Sequence, residues 1–186
     1  SSWGLAELHS RWNGVAAGDL DGDGRLDIVA TSWGRNTRFA PAPERPLLLY
    51  FGDLDRSGSL DVLRAQRDAR VDRIYPLEPL PRLLGAMPFL GQRVSSFSAF
   101  ASAGVQELFG AALTSAVRLV ADTYEHTLFL NRGDRFEVVA LPLEAQLAPA
   151  FYAGIADFDG DGHEDVFLSQ NFYPTEIGTP RYDAGR

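Results

Sequence analysis

Residues 14–32 read GVAAGDLDGDGRLDIVATS, and the reading of this stretch decides the fold. Asp19, Asp21, Asp23 and Asp27 stand at positions 1, 3, 5 and 9 of a loop whose position 6 is Gly24. A small, apolar lead-in precedes the loop, and the β-rich run Asp27-Ile28-Val29-Ala30-Thr31 follows it. A Gly-rich acidic connection between two such runs reads as a β-hairpin with a long turn. The pattern recurs at residues 48–65, LLYFGDLDRSGSLDVLRA, and at residues 152–170, YAGIADFDGDGHEDVFLSQ. The three stretches hold 11 of the 16 Asp, so the acid is concentrated in loops. From Asp19 to Asp53 is 34 residues and from Asp53 to Asp157 is 104, so the second gap contains additional material.

The rest of the chain fills in around these hairpins. Asp165-Val166-Phe167-Leu168-Ser169 and Leu47 to Phe51 are further β-rich runs, and strands are also expected at Val117–Asp122, Thr127–Asn131 and Phe136–Ala140. Asn131-Arg132-Gly133-Asp134 between the last two is a turn signal. Residues 74–116 differ in character. Pro76, Pro79, Pro81 and Pro88 punctuate their start, and Val94, Phe97, Phe100, Ala101, Val105, Leu108 and Phe109 follow close to helical spacing. One or two short amphipathic helices are expected there, with Phe97, Phe100 and Phe109 as a packing stripe. Residues 35–46, with three prolines, read as a surface loop, and the tail from Pro174 to Arg186 as irregular.

The acidic loops suit a hard cation. Calcium takes about six to eight oxygen ligands at roughly 2.3–2.6 Å. The first loop offers Asp19, Asp21, Asp23, the Arg25 carbonyl and Asp27. The second offers Asp53, Asp55, Ser57, the Ser59 carbonyl and Asp61, and the third Asp157, Asp159, Asp161, the His163 carbonyl and Asp165. Ser57 replaces a carboxylate, so the second loop is expected to bind most weakly. These are not EF-hands, which need a glutamate at position 12 and flanking helices; position 12 here is Ala30, Arg64 or Leu168. The competing explanation is that Asp and Gly simply build a turn. Converging carboxylates repel one another without a cation, which weighs against it.

Composition narrows the remaining classes. The net charge is −8 and all 17 basic residues are Arg, with no basic stripe, so nucleic acid is a poor partner. Cysteine is absent, which excludes disulfides, thiol catalysis and cysteine zinc sites. No apolar run reaches the roughly 18 residues of a membrane helix. His9, His126 and His163 stand in unrelated contexts, and neither a nucleophile elbow nor a phosphate loop occurs. Trp3, Trp12, Trp33, Phe39, Phe51, Phe151, Phe172 and Tyr173 are expected to pack between blades rather than to line a sugar-binding face.

The segments AAGDLDGDGRLDIVATSWG and AGIADFDGDGHEDVFLSQNF resemble FG-GAP/VCBS repeats, as in the integrin α-subunit β-propeller. Leu141-Pro142-Leu143-Glu144-Ala145-Gln146, the helical insertion, and Asn171-Phe172-Tyr173 leading to Arg181-Tyr182-Asp183 are similar to a bacterial branch related to cartilage acidic protein. The resemblance implies calcium in the loops, a propeller fold and an exported location, and it does not imply an enzyme. Residues 1–186 therefore read as an all-β segment of about three to four propeller-type blades with a helical insertion at about 74–116. Since a propeller normally has about four to eight blades, the chain is expected to be part of a larger propeller or an open array closed by partners. The expected role is structural or adhesive, in an extracellular, periplasmic or cell-surface protein. A protein or glycan ligand or self-association would be mediated by Trp33 to Pro46 and by the insertion. The alternative is the propeller portion of a secreted polysaccharide-processing enzyme.

Overall fold

The computed structural model of the chain describes residues 3–174 and 181–183. It divides into two compact units, Ser1–Ala40 with Thr123–Arg186, and Pro41–Asp122. The chain makes β1 (Gly14–Gly18) and β2 (Asp27–Thr31), leaves the first unit, and builds β3 (Leu47–Gly52), β4 (Asp61–Asp68), β5 (Arg73–Pro76) and β6 (Val117–Ala121) in the second. It then returns to add β7 (Thr127–Asn131), β8 (Phe136–Ala140), β9 (Tyr152–Ala156), β10 (Asp165–Ser169), β11 (Asn171–Phe172) and β12 (Tyr182–Asp183). All pairings among the described residues are antiparallel, in four sheets ordered β1-β2-β7-β8, β5-β4-β3-β6, β9-β10 and β11-β12. The fold is all-β and blade-type, with a few short helices.

The first sheet is interrupted in sequence but not in space. β2 pairs with β7 through Ile28↔Phe129, Val29↔Leu128 and Ala30↔Thr127, although a whole unit lies between them in the chain. Around this junction the first unit buries polar groups rather than a large apolar cluster. His126 is fully buried: its Nδ1 accepts from the Ser32 N–H at 2.8 Å, and its Nε2 lies 2.9 Å from the Ala148 carbonyl. Because Nδ1 accepts, the proton sits on Nε2, which donates to Ala148. Gln146, also fully buried, accepts from the His126 N–H and donates to the His126 and Leu141 carbonyls. Each group is satisfied, so the burial is tolerated.

The second unit has the apolar core. In β4, Leu63 and Ala65 are buried while Val62 and Arg64 face outward, the period-2 pattern of a strand with one covered face. Leu48, Tyr50, Leu63 and Ala65 meet Leu80, Leu83, Met87, Leu90, Val105, Leu108 and Phe109 in one cluster. The second group comes from the short helix α1 (Leu80–Ala86), Met87 after it, a 3-10 turn at Pro88–Gln92 and α3 (Val105–Phe109), while two more short helices, α2 (Phe97–Ser102) and α4 (Ala112–Ser115), pack partly buried residues against the cluster.

The sequence reading places one or two helices in an insertion at 74–116. The structure breaks it into more pieces and gives residues 73–76 to β5, which pairs with β4. The reasons are local. Prolines open α1 and the 3-10 turn, where their missing N–H costs nothing. Ser96 caps α2 by accepting from the Ala99 N–H, and Gly104, extended at ψ 172°, separates α2 from α3. That break rotates Phe97 out of the expected packing stripe; it is 70% exposed, while Phe109 is buried. The expected irregular tail lies largely outside the described residues, and within it Tyr182–Asp183 pairs with Asn171–Phe172.

Candidate metal centre

Each acidic loop joins two paired strands in the same register. The residue before position 1 faces position 9: Gly18↔Asp27, Gly52↔Asp61 and Ala156↔Asp165. The turn inside is built the same way three times. The position-1 carboxylate accepts from the N–H groups of positions 5 and 6: Asp19 from Asp23 and Gly24, both at 2.9 Å, Asp53 from Ser57 and Gly58 at 2.9 and 3.0 Å, and Asp157 from Asp161 and Gly162 at 3.2 and 3.0 Å. The position-9 carboxylate accepts from the position-2 N–H: Asp27 from Leu20 at 3.0 Å, Asp61 from Leu54 at 2.9 Å, and Asp165 from Phe158 at 3.0 Å. Positions 4 and 6 are left-handed throughout, which two glycines supply in the first and third loops. In the second loop position 4 is Arg56, at φ 63°.

This scaffold converges three carboxylates per loop. One oxygen each from Asp19, Asp21 and Asp27 lies within 4.8 Å of the others, and so do those of Asp53, Asp55 and Asp61, and of Asp157, Asp159 and Asp165. Such clusters of hard oxygens could bind a metal ion. Position 5 is turned elsewhere, toward the loop's own position-7 N–H. Asp23 accepts there from Arg25 at 2.9 Å, Asp161 from His163 at 2.8 Å, and Ser57 from Ser59 at 3.3 Å. Ser57 also acts on its neighbour: hydrogen bonds from its hydroxyl and its N–H hold the Asp55 carboxyl below the usual range.

The loops differ in what approaches them from far along the chain. In the first, the Arg132 guanidinium is 2.5 Å from Asp21 and also pairs with Glu137 at 2.8 Å, and Arg25 pairs with Asp23. Asp27 is fully buried and accepts a second hydrogen bond, from the Asn131 N–H at 2.8 Å, which fastens the loop to the end of β7. Glu164, at position 8 of the third loop, accepts from the Asp19 N–H at 2.5 Å and so links the first and third loops. Gly18 permits this approach, since a Cβ there would lie 2.3 Å from the Glu164 carboxylate. Neither Arg132 nor Glu164 carries a signal in the sequence motif, because their contacts span more than a hundred residues. The left-handed position 4 is legible as Gly22 and Gly160, the glycines inside D-G-D-G. Of the histidines, His126 is a structural node and lies in none of the acidic clusters.

Residues 11–35, which comprise the first loop and both of its strands, match the family model of the FG-GAP repeat. This stretch is similar to an FG-GAP repeat, and the second and third loops repeat the backbone geometry of the matched one. No curated protein and no solved structure matches the chain.

Proposed function

We propose that the chain is a calcium-binding repeat module of an exported or cell-surface protein, with a structural or adhesive role toward a protein or glycan ligand. The observation that carries the reading is the threefold recurrence of one carboxylate cluster on one turn geometry. FG-GAP repeats are generally structural modules, usually of extracellular or surface proteins, and among the described residues no helix is long and apolar enough to cross a membrane. In this reading residues 1–186 are one propeller segment. Asp19, Asp21 and Asp27 hold one cation, Asp53, Asp55 and Asp61 a second, and Asp157, Asp159 and Asp165 a third. Asp23, Ser57 and Asp161, with the carbonyls of Arg25, Ser59 and His163, complete the shells on binding. Calcium is favoured over softer metals because every side-chain donor is oxygen.

At millimolar calcium and a dissociation constant of about 10⁻⁴ M, each site adds roughly 1.4 kcal/mol to stability. Thermal melts in calcium and in chelator test this, and equal midpoints would refute it. Site identity is read by calorimetry: Asp21→Ala and Asp159→Ala each remove one site, and Ser57→Ala has the smaller effect because a hydroxyl is a weaker ligand than a carboxylate. The ligand is assigned to the connections, Trp33 to Pro46 and the helical segment to Ala116. Glycan or protein binding that survives replacement of both segments would remove that assignment.

A further inference from the structure

We propose that a pocket at the β4–β5 hairpin binds an acidic glycan, its guanidiniums taking the carboxylate of a uronic-acid sugar. This site rests on the reading that the connections of the chain hold a ligand, and gives that ligand a chemistry. The pocket lies wholly within the second unit and has a volume of about 670 Å³, inside the roughly 300–1,000 Å³ range of small-ligand sites. One wall is the tight turn Ala42–Arg45, and the other is the end of β4, the hairpin turn after it and Tyr75 of β5. Hydrogen bonds fasten the walls together. The Gln66 amide donates to the Arg45 carbonyl at 3.3 Å, Arg67 Nη1 to the Glu44 carbonyl at 3.4 Å, and the Arg67 N–H to the Pro46 carbonyl at 3.4 Å. Asp72, left-handed at φ 50°, brings its carboxylate to Nε and Nη2 of Arg67 at 2.9 and 2.7 Å. Such a backbone is uncommon away from glycine, and outliers of this kind gather at ligand clamps. Asp68 holds Arg70 in the same way, through Nε at 3.1 Å and Nη2 at 2.9 Å. A guanidinium carries five N–H donors, so this pairing leaves Nη1 of Arg70 to an outside acceptor.

The lining discriminates among anions. Arg45, Arg67 and Arg70 meet Glu44 and Asp68, a local excess of positive charge in a chain of net charge −8. A polyphosphate or an acidic peptide would set many like charges against those two carboxylates and against the acidic chain around them. A uronic-acid sugar carries one carboxylate per ring among several hydroxyls. The planar guanidinium fork matches the carboxylate. Glu44 and Asp68 accept from the hydroxyls, which donate. Tyr75, half-buried beside Gln66, offers a flat ring to the apolar C–H face of the sugar. Because the ion pairs already hold Arg67 and Arg70, little ordering is left for the ligand to impose.

Calorimetry of the full chain with an oligogalacturonate tests the proposal. Chelator is kept in the buffer, because uronates and the acidic loops both offer hard oxygens to calcium. Saturable binding is expected, with maltohexaose, a neutral glycan, and polyglutamate, an acidic peptide, each at least tenfold weaker. Arg70→Gln is expected to weaken oligogalacturonate binding about tenfold. The Arg70 side chain is 88% exposed, so its loss leaves the fold intact. Arg45→Gln is the second variant, with the same expected direction. Arg135→Gln removes the same charge from a turn in the first unit, 65% exposed, and is expected to leave binding unchanged. Absence of saturable binding would overturn the proposal. So would maltohexaose or polyglutamate binding as tightly as the uronate, binding that Arg70→Gln and Arg45→Gln both leave unchanged, or an equal loss in Arg135→Gln. A chain that melts higher in calcium yet takes no oligogalacturonate would refute this site and leave the calcium reading standing.

Discussion

Gly24, Gly58 and Gly162 occupy position 6 of the three loops at φ 83°, 83° and 88°, and a Cβ on any of them would meet nothing within 4 Å. Their role is therefore conformational, not steric. A left-handed backbone costs an L-residue about 1–2 kcal/mol, partly offset by the lower entropy of the unfolded alanine chain. Gly58→Ala is expected to lose about 1 kcal/mol, read as a lower urea midpoint at unchanged slope. Arg56, at φ 63° in position 4, bears the same cost already, so Arg56→Gly is expected to raise the midpoint. His126 gives a pH dependence. Burial lowers its pKa from 6.5, while its hydrogen bond to the Ala148 carbonyl acts in the opposite direction. The folded chain then binds fewer protons than the unfolded chain between the lowered value and 6.5. His126 costs the fold nothing above that window, and stability falls as pH drops through it. Urea midpoints at neutral and mildly acid pH are expected to drop more in the wild type than in His126→Gln; identical drops would refute the assignment.

At the scale of the element, the acidic hairpins share one turn but not one attachment. Asp27 is buried and ties its loop to two backbone N–H groups, those of Leu20 and of Asn131 on the neighbouring β7. Asp165 makes the equivalent bond within its own loop, to Phe158, and among the described residues β10 has no outer strand to reach. Hydrogen bonds to charged groups contribute about 1.5–3 kcal/mol each, and an orphaned buried donor costs about 1–3. Asp27→Ala is therefore expected to cost about 2–4 kcal/mol in chelator, and Asp165→Ala less than half of that. Denaturant melts with metal removed isolate this term from cation binding; equal losses would show that the β7 contact contributes nothing. The helices follow a different rule. None is longer than seven residues, too short to be stable alone, so packing on the β3–β4 face holds them.

At the scale of the whole molecule, the second unit is an insertion into a sheet of the first. The flanking segments are fastened to each other: the Gly34 N–H donates to the Tyr124 carbonyl at 2.7 Å, and β2 pairs directly with β7. Gly34, at φ 79°, is required there, because a Cβ would lie 2.5 Å from the Gln146 carbonyl oxygen. Replacing residues 41–122 with a flexible Gly/Ser linker is therefore expected to leave the first unit folded. Such a chain retains two of the three acidic clusters, and calorimetry is expected to count two calcium sites instead of three. Loss of every site would show that the first unit cannot form without the inserted one.

Much of this was legible in the residues. The D-x-D-x-[DS]-G-x-x-D spacing locates all three turns, and β-rich runs place β2, β7, β8 and β10 at their observed bounds, because turn chemistry and strand propensity act over a few neighbours. Three things were decided by tertiary structure. β5 was hidden because Arg73–Pro76 becomes a strand only by pairing with β4. The exposure of Phe97 was hidden because helical spacing does not reveal where a helix is cut. Around the first loop, Arg132, Asn131 and Glu164 arrive from more than a hundred residues away, and His126 is buried only where Ser32, Ala148 and Gln146 meet. Local chemistry writes the turn in the sequence; which charges and donors surround it depends on chain closure, which no short window contains.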